Sequence, residues 1–325
     1  MARRVSPVSG QEGAKIGMST LSARQAALRR HARGAMLGLA LGDALGATVE
    51  FMTPREIQTR HGTHDTIQGG GWLRLPLGQV TDDTTMSFAL AEAWLNGTGD
   101  PGAEDCARAF DAWMRSKPVD IGNTVRRGIV RFRHTGQACM PISEDAGNGA
   151  TMRCAPVALA LAGAPEERVA LATLAQARVT HHHPLTDAAT LAVVGMIQSA
   201  ILHANPVAGI REVMARANQL ARTHPALHFR GRPMENPSGY IVDTMRAVLQ
   251  SIDLNDNFES ALVDVVNRGG DADTTGAILG MIMGALHGEA ALPTRWLRVL
   301  DKSAYRRCLL LADKLIERAP AWKTV

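Results

Sequence analysis

The chain has 325 residues, of which 46% are hydrophobic and 20% charged, enough apolar material for one large core or two small ones. Its net charge of +4 is concentrated at the start. Residues 1–33 carry seven basic side chains (Arg3, Arg4, Lys15, Arg24, Arg29, Arg30, Arg33) against one acid, Glu12, a local +6 that leaves the rest at −2 and argues against a phosphate-backbone footprint on the folded body.

In chain order, residues 1–33 read as a flexible basic arm without the apolar run of a secretory signal, and Met18 is an alternative start. Gly34, Gly38, Gly42 and Gly46 follow at a four-residue spacing, which places them on one face of a helix. Gly276, Gly280, Gly284 and Gly288 repeat the pattern near the end. Each helical glycine costs about 1 kcal/mol relative to alanine, so two such stripes call for close backbone packing. They can meet each other or two separate neighbours, and spacing alone leaves both open.

Between the stripes, Met86, Ala89, Leu90, Ala93 and Trp94 mark one apolar helical face. Similar patterns predict helices near 104–115, 148–162, 166–178, 187–203, 207–222, 238–252, 258–267, 274–287 and 304–317. No run alternates as a strand does, and Gly69-Gly70-Gly71 lacks the Lys-Ser/Thr pair of a phosphate loop. The expected fold is all-α, a single domain over residues 34–325.

The longest apolar stretch, Ala35 to Val49, contains Asp43 and falls short of the ~20 residues a membrane span needs. Cys106, Cys139, Cys154 and Cys308 form no CxxC pair and read as buried thiols of a reducing compartment. A soluble, cytoplasmic protein is expected.

Two segments carry the chemistry. Thr81-Asp82-Asp83-Thr84-Thr85 and Asp271-Ala272-Asp273-Thr274-Thr275 each set two carboxylates and hydroxyls directly before a predicted helix. Helix capping explains one acid at such a place. A doubled pair occurring twice suits hard divalent cations, which select carboxylate and hydroxyl oxygens. The run His181-His182-His183 ends at Pro184 without a Cys or HxxxH partner, which disfavours zinc.

Longer motifs add a resemblance. They are the glycine helix Gly34–Glu50, Gly69–Leu75, Gly78–Thr85, Lys117–Thr124, Asp145–Cys154, Thr180–Pro184, Tyr240–Met245 and Asn267–Gly276. In order and content they resemble the ADP-ribosylglycohydrolase family, most closely its dinitrogenase reductase-activating branch, over about residues 34 to 302.

The resemblance implies a compact orthogonal multi-helix bundle with a binuclear cleft. Two Mn²⁺ or Mg²⁺ ions would sit on Thr81, Asp82, Asp83, Asp271, Asp273 and Thr274. Asp120 and Glu50 become the candidates for water activation or proton delivery. Asn123, Asn148, Gly149, Met152, His182 (or its neighbour His181) and Tyr240 fall along the substrate cleft, with Tyr240 against the adenine. Asn148-Gly149, ahead of a helix at 150–162, would offer N–H groups to the diphosphate, and Arg153 either adds a cation there or pairs structurally with an acid.

The implied reaction is hydrolysis of the bond between ADP-ribose and a protein arginine, with the nitrogenase iron protein as target and a PII-type nitrogen regulator as a further partner. A monomer is expected, reaching a membrane only through a partner. Two rival readings are a different linkage, serine-linked or O-acetyl-ADP-ribose, and a non-catalytic ADP-ribose-binding relative.

Overall fold

The computed structural model describes residues 10–324, with side chains from residue 23 onward. Its helices in chain order are α1 (Gly10–Gly46), α2 (Pro54–His61), α3 (Asp82–Asn96), α4 (Ala103–Arg115), α5 (Asn123–Thr135), α6 (Ala155–Ala160), α7 (Glu166–Ala177) and α8 (Pro184–His203). They continue as α9 (Pro206–Thr223), α10 (Ile241–Leu254), α11 (Phe258–Asn267), α12 (Ala272–His287), α13 (Thr294–Val299), α14 (Lys302–Arg318) and α15 (Pro320–Lys323). No strand forms among the described residues, and two isolated bridges pair Gly70 with Leu75 and Gly147 with Tyr240.

The two glycine stripes meet each other. A Cβ built on Gly34 would lie 2.1 Å from the Gly284 carbonyl oxygen, one on Gly38 2.1 Å from Gly280, and one on Gly42 2.0 Å from Gly276. The stripe ends at Gly46, whose Cβ would meet the Ala272 carbonyl at 2.2 Å. The pairing therefore runs antiparallel, with α12 in backbone contact with the Gly34–Gly46 part of α1. Dense packing against a fully buried neighbour offsets what glycine costs each helix. It also brings the C-terminal end of α1, which carries Asp43, and the turn after it, which carries Glu50, beside the N-terminal end of α12.

The remaining helices wrap this pair. Phe88 and Trp94 of α3, Phe110 of α4, Phe258 of α11, Trp296 of α13 and Leu315 of α14 are all buried in the same core cluster. α8 is long and apolar enough to cross a membrane, but 72% of its most apolar window is buried inside the molecule, as expected of a core helix.

Several expectations need correction. The arm does not reach residue 33: Leu28 and Ala32 are core residues, Arg33 pairs with Asp313 at 2.7 Å and Arg29 with Glu317 at 2.7 Å. The part of the arm over residues 1–9, and the side chains up to residue 22, lie outside the described residues.

The helix expected over 148–162 shrinks to α6. The Asn148 carbonyl accepts from the N–H groups of both Thr151 and Met152, folding 148–154 into turns instead. α2, α5, α13 and α15 have no counterpart in the periodicity reading. α5 buries only Val125, Gly128 and Ile129, too narrow a stripe to stand out among its arginines. Cys139 is exposed, whereas Cys106, Cys154 and Cys308 are buried.

Candidate active site

Helix starts usually satisfy their own first N–H groups through a local cap. α3 and α12 do not. Thr81 and Asp271 occupy the N-cap positions and neither side chain makes a cap hydrogen bond. At α3 the acceptor comes from α1: the buried Asp43 carboxylate takes hydrogen bonds from Thr81 N–H at 2.9 Å, Thr84 N–H at 3.1 Å and the Thr84 hydroxyl at 2.5 Å. This cap supplied from another helix frees Asp82 and Asp83 for other work, so capping does not explain the doubled acids.

Glu50 is brought in by a backbone tie. Phe51 N–H donates to the Gly270 carbonyl at 2.7 Å, and Gly270 N–H donates to the Met52 carbonyl at 2.9 Å. A Cβ on Gly269 would lie 2.2 Å from the Met52 oxygen, so a side chain there would push the two loops apart. Phe51 pays with a left-handed backbone, φ 62°, a conformation that costs a bulky residue about 1–3 kcal/mol. The result is a tight group in which carboxylate oxygens of Glu50, Asp271 and Asp273 all lie within 4.8 Å of one another.

A cleft of about 430 Å³ opens over this group. Glu50, Asp82, Asp120, Asp271, Asp273 and Thr274 line it, with Asn123, Asn148, Gly149 and Met152. Thr81 and Asp83 lie beneath its surface, fully or almost fully buried.

The electrostatics are lopsided. Asp43, Glu50, Asp82, Asp83, Asp271 and Asp273 form no ion pair with any Lys, Arg or His among the described residues. Burial pushes Asp43 up to about 6. Burial, then the charges of Asp120 and Asp43, push Asp82 to about 7, and burial with the charges of Asp271 and Asp120 pushes Glu50 to about 8. Asp83 and Asp273 are driven well above the usual carboxylate range, again mainly by burial.

Buried carboxylates persist when paired or when they coordinate metal. Asp83 Oδ1 supplies a second observation: it is buried without any hydrogen-bond partner. An all-oxygen donor set with an orphaned buried oxygen fits hard divalent cations.

Not every predicted residue arrives. His182 does not line the cleft; its Nδ1 pairs with the Met140 carbonyl at 2.7 Å, because alternate residues of the extended run face opposite ways. His181 takes the place instead, buried beneath Gly147 and Gly149, where a Cβ would come within 3.0 and 2.8 Å of its ring. Arg153 supplies no cation to the cleft. It is fully buried, donates to the Gln176 side chain and carbonyl at 2.8 Å each, and stacks 4.3 Å over the Phe110 ring.

The Asn148 side chain donates to Asp271 at 2.6 Å and its N–H donates to the Gly239 carbonyl, so neither is spare for a diphosphate. Tyr240 occupies the N-cap position of α10 without a side-chain cap, its ring half-exposed beside the cleft through its backbone bridge to Gly147.

Two residues were missed. Asp43 was legible as a lone acid on an apolar glycine helix. Trp72, whose indole N–H donates to Glu50 Oε2 at 2.6 Å, left no signal except its place after three glycines.

An all-helical fold whose two helix starts deliver unpaired carboxylates to one cleft defines a class, helical proteins with an acidic cluster fit for divalent cations. The chain belongs to the ADP-ribosylglycohydrolase family, whose profile matches residues 24–324. It is 48% identical, over 89% of its length and 96% of the relative's, to the ADP-ribosyl-[dinitrogen reductase] glycohydrolase of Rhodospirillum rubrum. It is 32% identical, over 93% of its length and 81% of the relative's, to the ADP-ribosylarginine hydrolase Tri1 of Pseudomonas putida. A solved structure described as an ADP-ribosylglycohydrolase-related protein complex superposes with a TM-score of 0.77 at 33% identity, covering 90% of this chain and 98% of that one. The family match begins at residue 24, in agreement with the packing of Leu28 and Ala32.

Proposed function

We propose that this protein hydrolyses the N-glycosidic bond between ADP-ribose and an arginine side chain, with ADP-ribosylated dinitrogenase reductase as its target. The observation that carries the reaction is the cleft in which Glu50, Asp82, Asp120, Asp271 and Asp273 converge without a basic partner. The arginine linkage is supported by the names of two relatives, the dinitrogen reductase enzyme and the ADP-ribosylarginine hydrolase.

Thr81, Asp82, Asp83, Asp271, Asp273 and Thr274 would hold two divalent cations, Mn²⁺ or Mg²⁺. Bound there, such ions supply Lewis acidity toward oxygen and neutralise the carboxylate cluster. The chain's own groups handle the protons. Water adds to the anomeric carbon, the C–N bond breaks and the guanidine leaves with a proton. Asp120 and Glu50, both on the cleft wall, are the carboxylates we assign to taking the proton from water and returning it to the leaving group. Trp72 holds Glu50 in place for this. Asn123, Gly149, Met152 and His181 shape the ADP-ribose side, and the half-exposed Tyr240 ring offers a face to the adenine. A monomer acting in the cytoplasm under a PII-type regulator belongs to the same proposal.

The decisive experiment follows ADP-ribose release from ADP-ribosyl-arginine protein with Mn²⁺ and with EDTA, for wild type, Asp120→Asn and Glu50→Gln. Cation-dependent release that drops at least about a hundredfold in the variants supports the reading. Cleavage of serine-linked or O-acetyl-ADP-ribose alone would overturn the linkage, and no cleavage with ADP-ribose still bound would leave a binding protein.

A further inference from the structure

The described residues hold a second groove, of about 630 Å³, that shares a wall with the cleft. Glu50, Phe51 and Trp72 line both. Phe51 and Trp72 are also unusually exposed for aromatics, at 64% and 52%, with ring centroids 5.5 Å apart. The other aromatic among the exposed large hydrophobic side chains is Tyr240, which likewise borders the cleft. Exposed aromatic faces kept at a site edge mark recognition rather than folding.

We infer that the Phe51–Trp72 pair is the leaving-group site, receiving the guanidinium and aliphatic stem of the substrate arginine and leading its polypeptide into the second groove. The inference rests on the arginine linkage proposed above. A planar guanidinium stacks on aromatic faces and pairs with carboxylates, and here both rings adjoin Glu50, to which Trp72 is hydrogen-bonded. The bond to be cut must lie at the carboxylates, so one side of it faces the cleft and the other faces this shared wall.

A tight glycine turn forms the groove's rim: Gly69 and Gly71 lack room for a side chain against the chain's own backbone, and Gly70 alone leaves open space where a Cβ would stand. Gly69, Gly70 and Gly71 all hold positive φ, closed by reciprocal Gly70–Leu75 hydrogen bonds of 2.7 and 2.8 Å. Glu56, Arg60 and His61 also line it, so the groove itself carries both signs, and the preference for a cation comes from Glu50 and the ring faces. Thr48, 6% exposed, lies in the same wall with a hydroxyl that has no partner.

The test uses agmatine, a guanidinium on an aliphatic stem, titrated into the full-length protein saturated with ADP-ribose and Mn²⁺. Phe51→Ala should weaken agmatine about tenfold while ADP-ribose affinity moves less than about twofold, and Phe51→Trp should restore the agmatine site. Equal agmatine binding in wild type and Phe51→Ala overturns the inference, as does no binding to wild type or a parallel loss of ADP-ribose affinity. The readout needs no turnover. A wild type unable to cleave arginine linkages would sink the functional reading, while agmatine binding would still decide the aromatic site.

Discussion

A Cβ added to Gly42 would sit 2.0 Å from the carbonyl oxygen of Gly276, and that oxygen belongs to backbone that cannot swing aside. The contact lies one residue from Asp43 and two or three residues past Asp273 and Thr274, so the same interface that closes the core also sets the spacing of the site. Gly42→Ala should therefore cost about 3 kcal/mol, the upper end of ordinary overpacking, and weaken cation binding with it. Gly99, with negative φ and nothing within 4 Å of its would-be Cβ, is the control. Thermal midpoints of the two variants should separate clearly; equal midpoints would mean that α1 and α12 can slide apart freely.

Asp43 is predicted to be indispensable although it lies outside the doubled-acid motifs. Asp43→Ala leaves the N–H groups and hydroxyls of Thr81 and Thr84 without their buried acceptor. Unsatisfied buried donors cost about 1–3 kcal/mol each, so a loss of about 3 kcal/mol or more is expected. Because the start of α3 would then shift, Mn²⁺ affinity measured by calorimetry should fall too. Asp43→Ala with unchanged Mn²⁺ affinity would show that α3 holds its acids without help.

Cation binding should depend on pH in a stated direction. In the folded chain Asp43, Asp82 and Glu50 hold protons up to about 6, 7 and 8, whereas their ordinary values are 3.8, 3.8 and 4.5. The folded state binds more protons than the unfolded one across that interval, so cation-free protein loses stability as pH rises from about 4 to about 8. A divalent cation replaces those protons. Its stabilising effect, about 2.7 kcal/mol at a hundred times its dissociation constant, should thus be small near the low end of the window and full at the high end. Melting curves with Mn²⁺ or EDTA across this range check it, and a cation shift that shrinks as pH rises would contradict it.

His181 gives the opposite slope. Burial, helped by the Arg153 charge, depresses it to about 3 from an ordinary 6.5. The unfolded chain takes up that proton first, so the neutral imidazole contributes stability that is whole above about pH 6.5 and is lost as pH falls toward 3. His181→Gln should lower the midpoint at neutral pH through lost packing against Gly147 and Gly149, yet flatten its decline below pH 6.5. A variant whose decline runs parallel to wild type would place that acid sensitivity elsewhere, His31, His64 and His287 being the other histidines whose values burial lowers.

The sequence by itself determined the helical class, the two glycine stripes and the doubled acids at two helix starts. These are local or periodic signals: spacing of four reports a shared face, and paired acids before an apolar run report a helix start. The tertiary structure alone decided what each face meets. Whether the stripes pair with one another depends on residues more than 200 positions apart, as Gly42 and Gly276 are. That Asp43 caps α3 from another helix follows from the same long-range packing, and so does the choice of His181 over His182. Glu50 reaches Asp271 and Asp273 only because Phe51 N–H donates to the Gly270 carbonyl and Gly270 N–H donates to the Met52 carbonyl, tying two loops together. A chain's periodicity states which surface must be covered; the covering partner is chosen by the packing of the whole fold, which no local window contains.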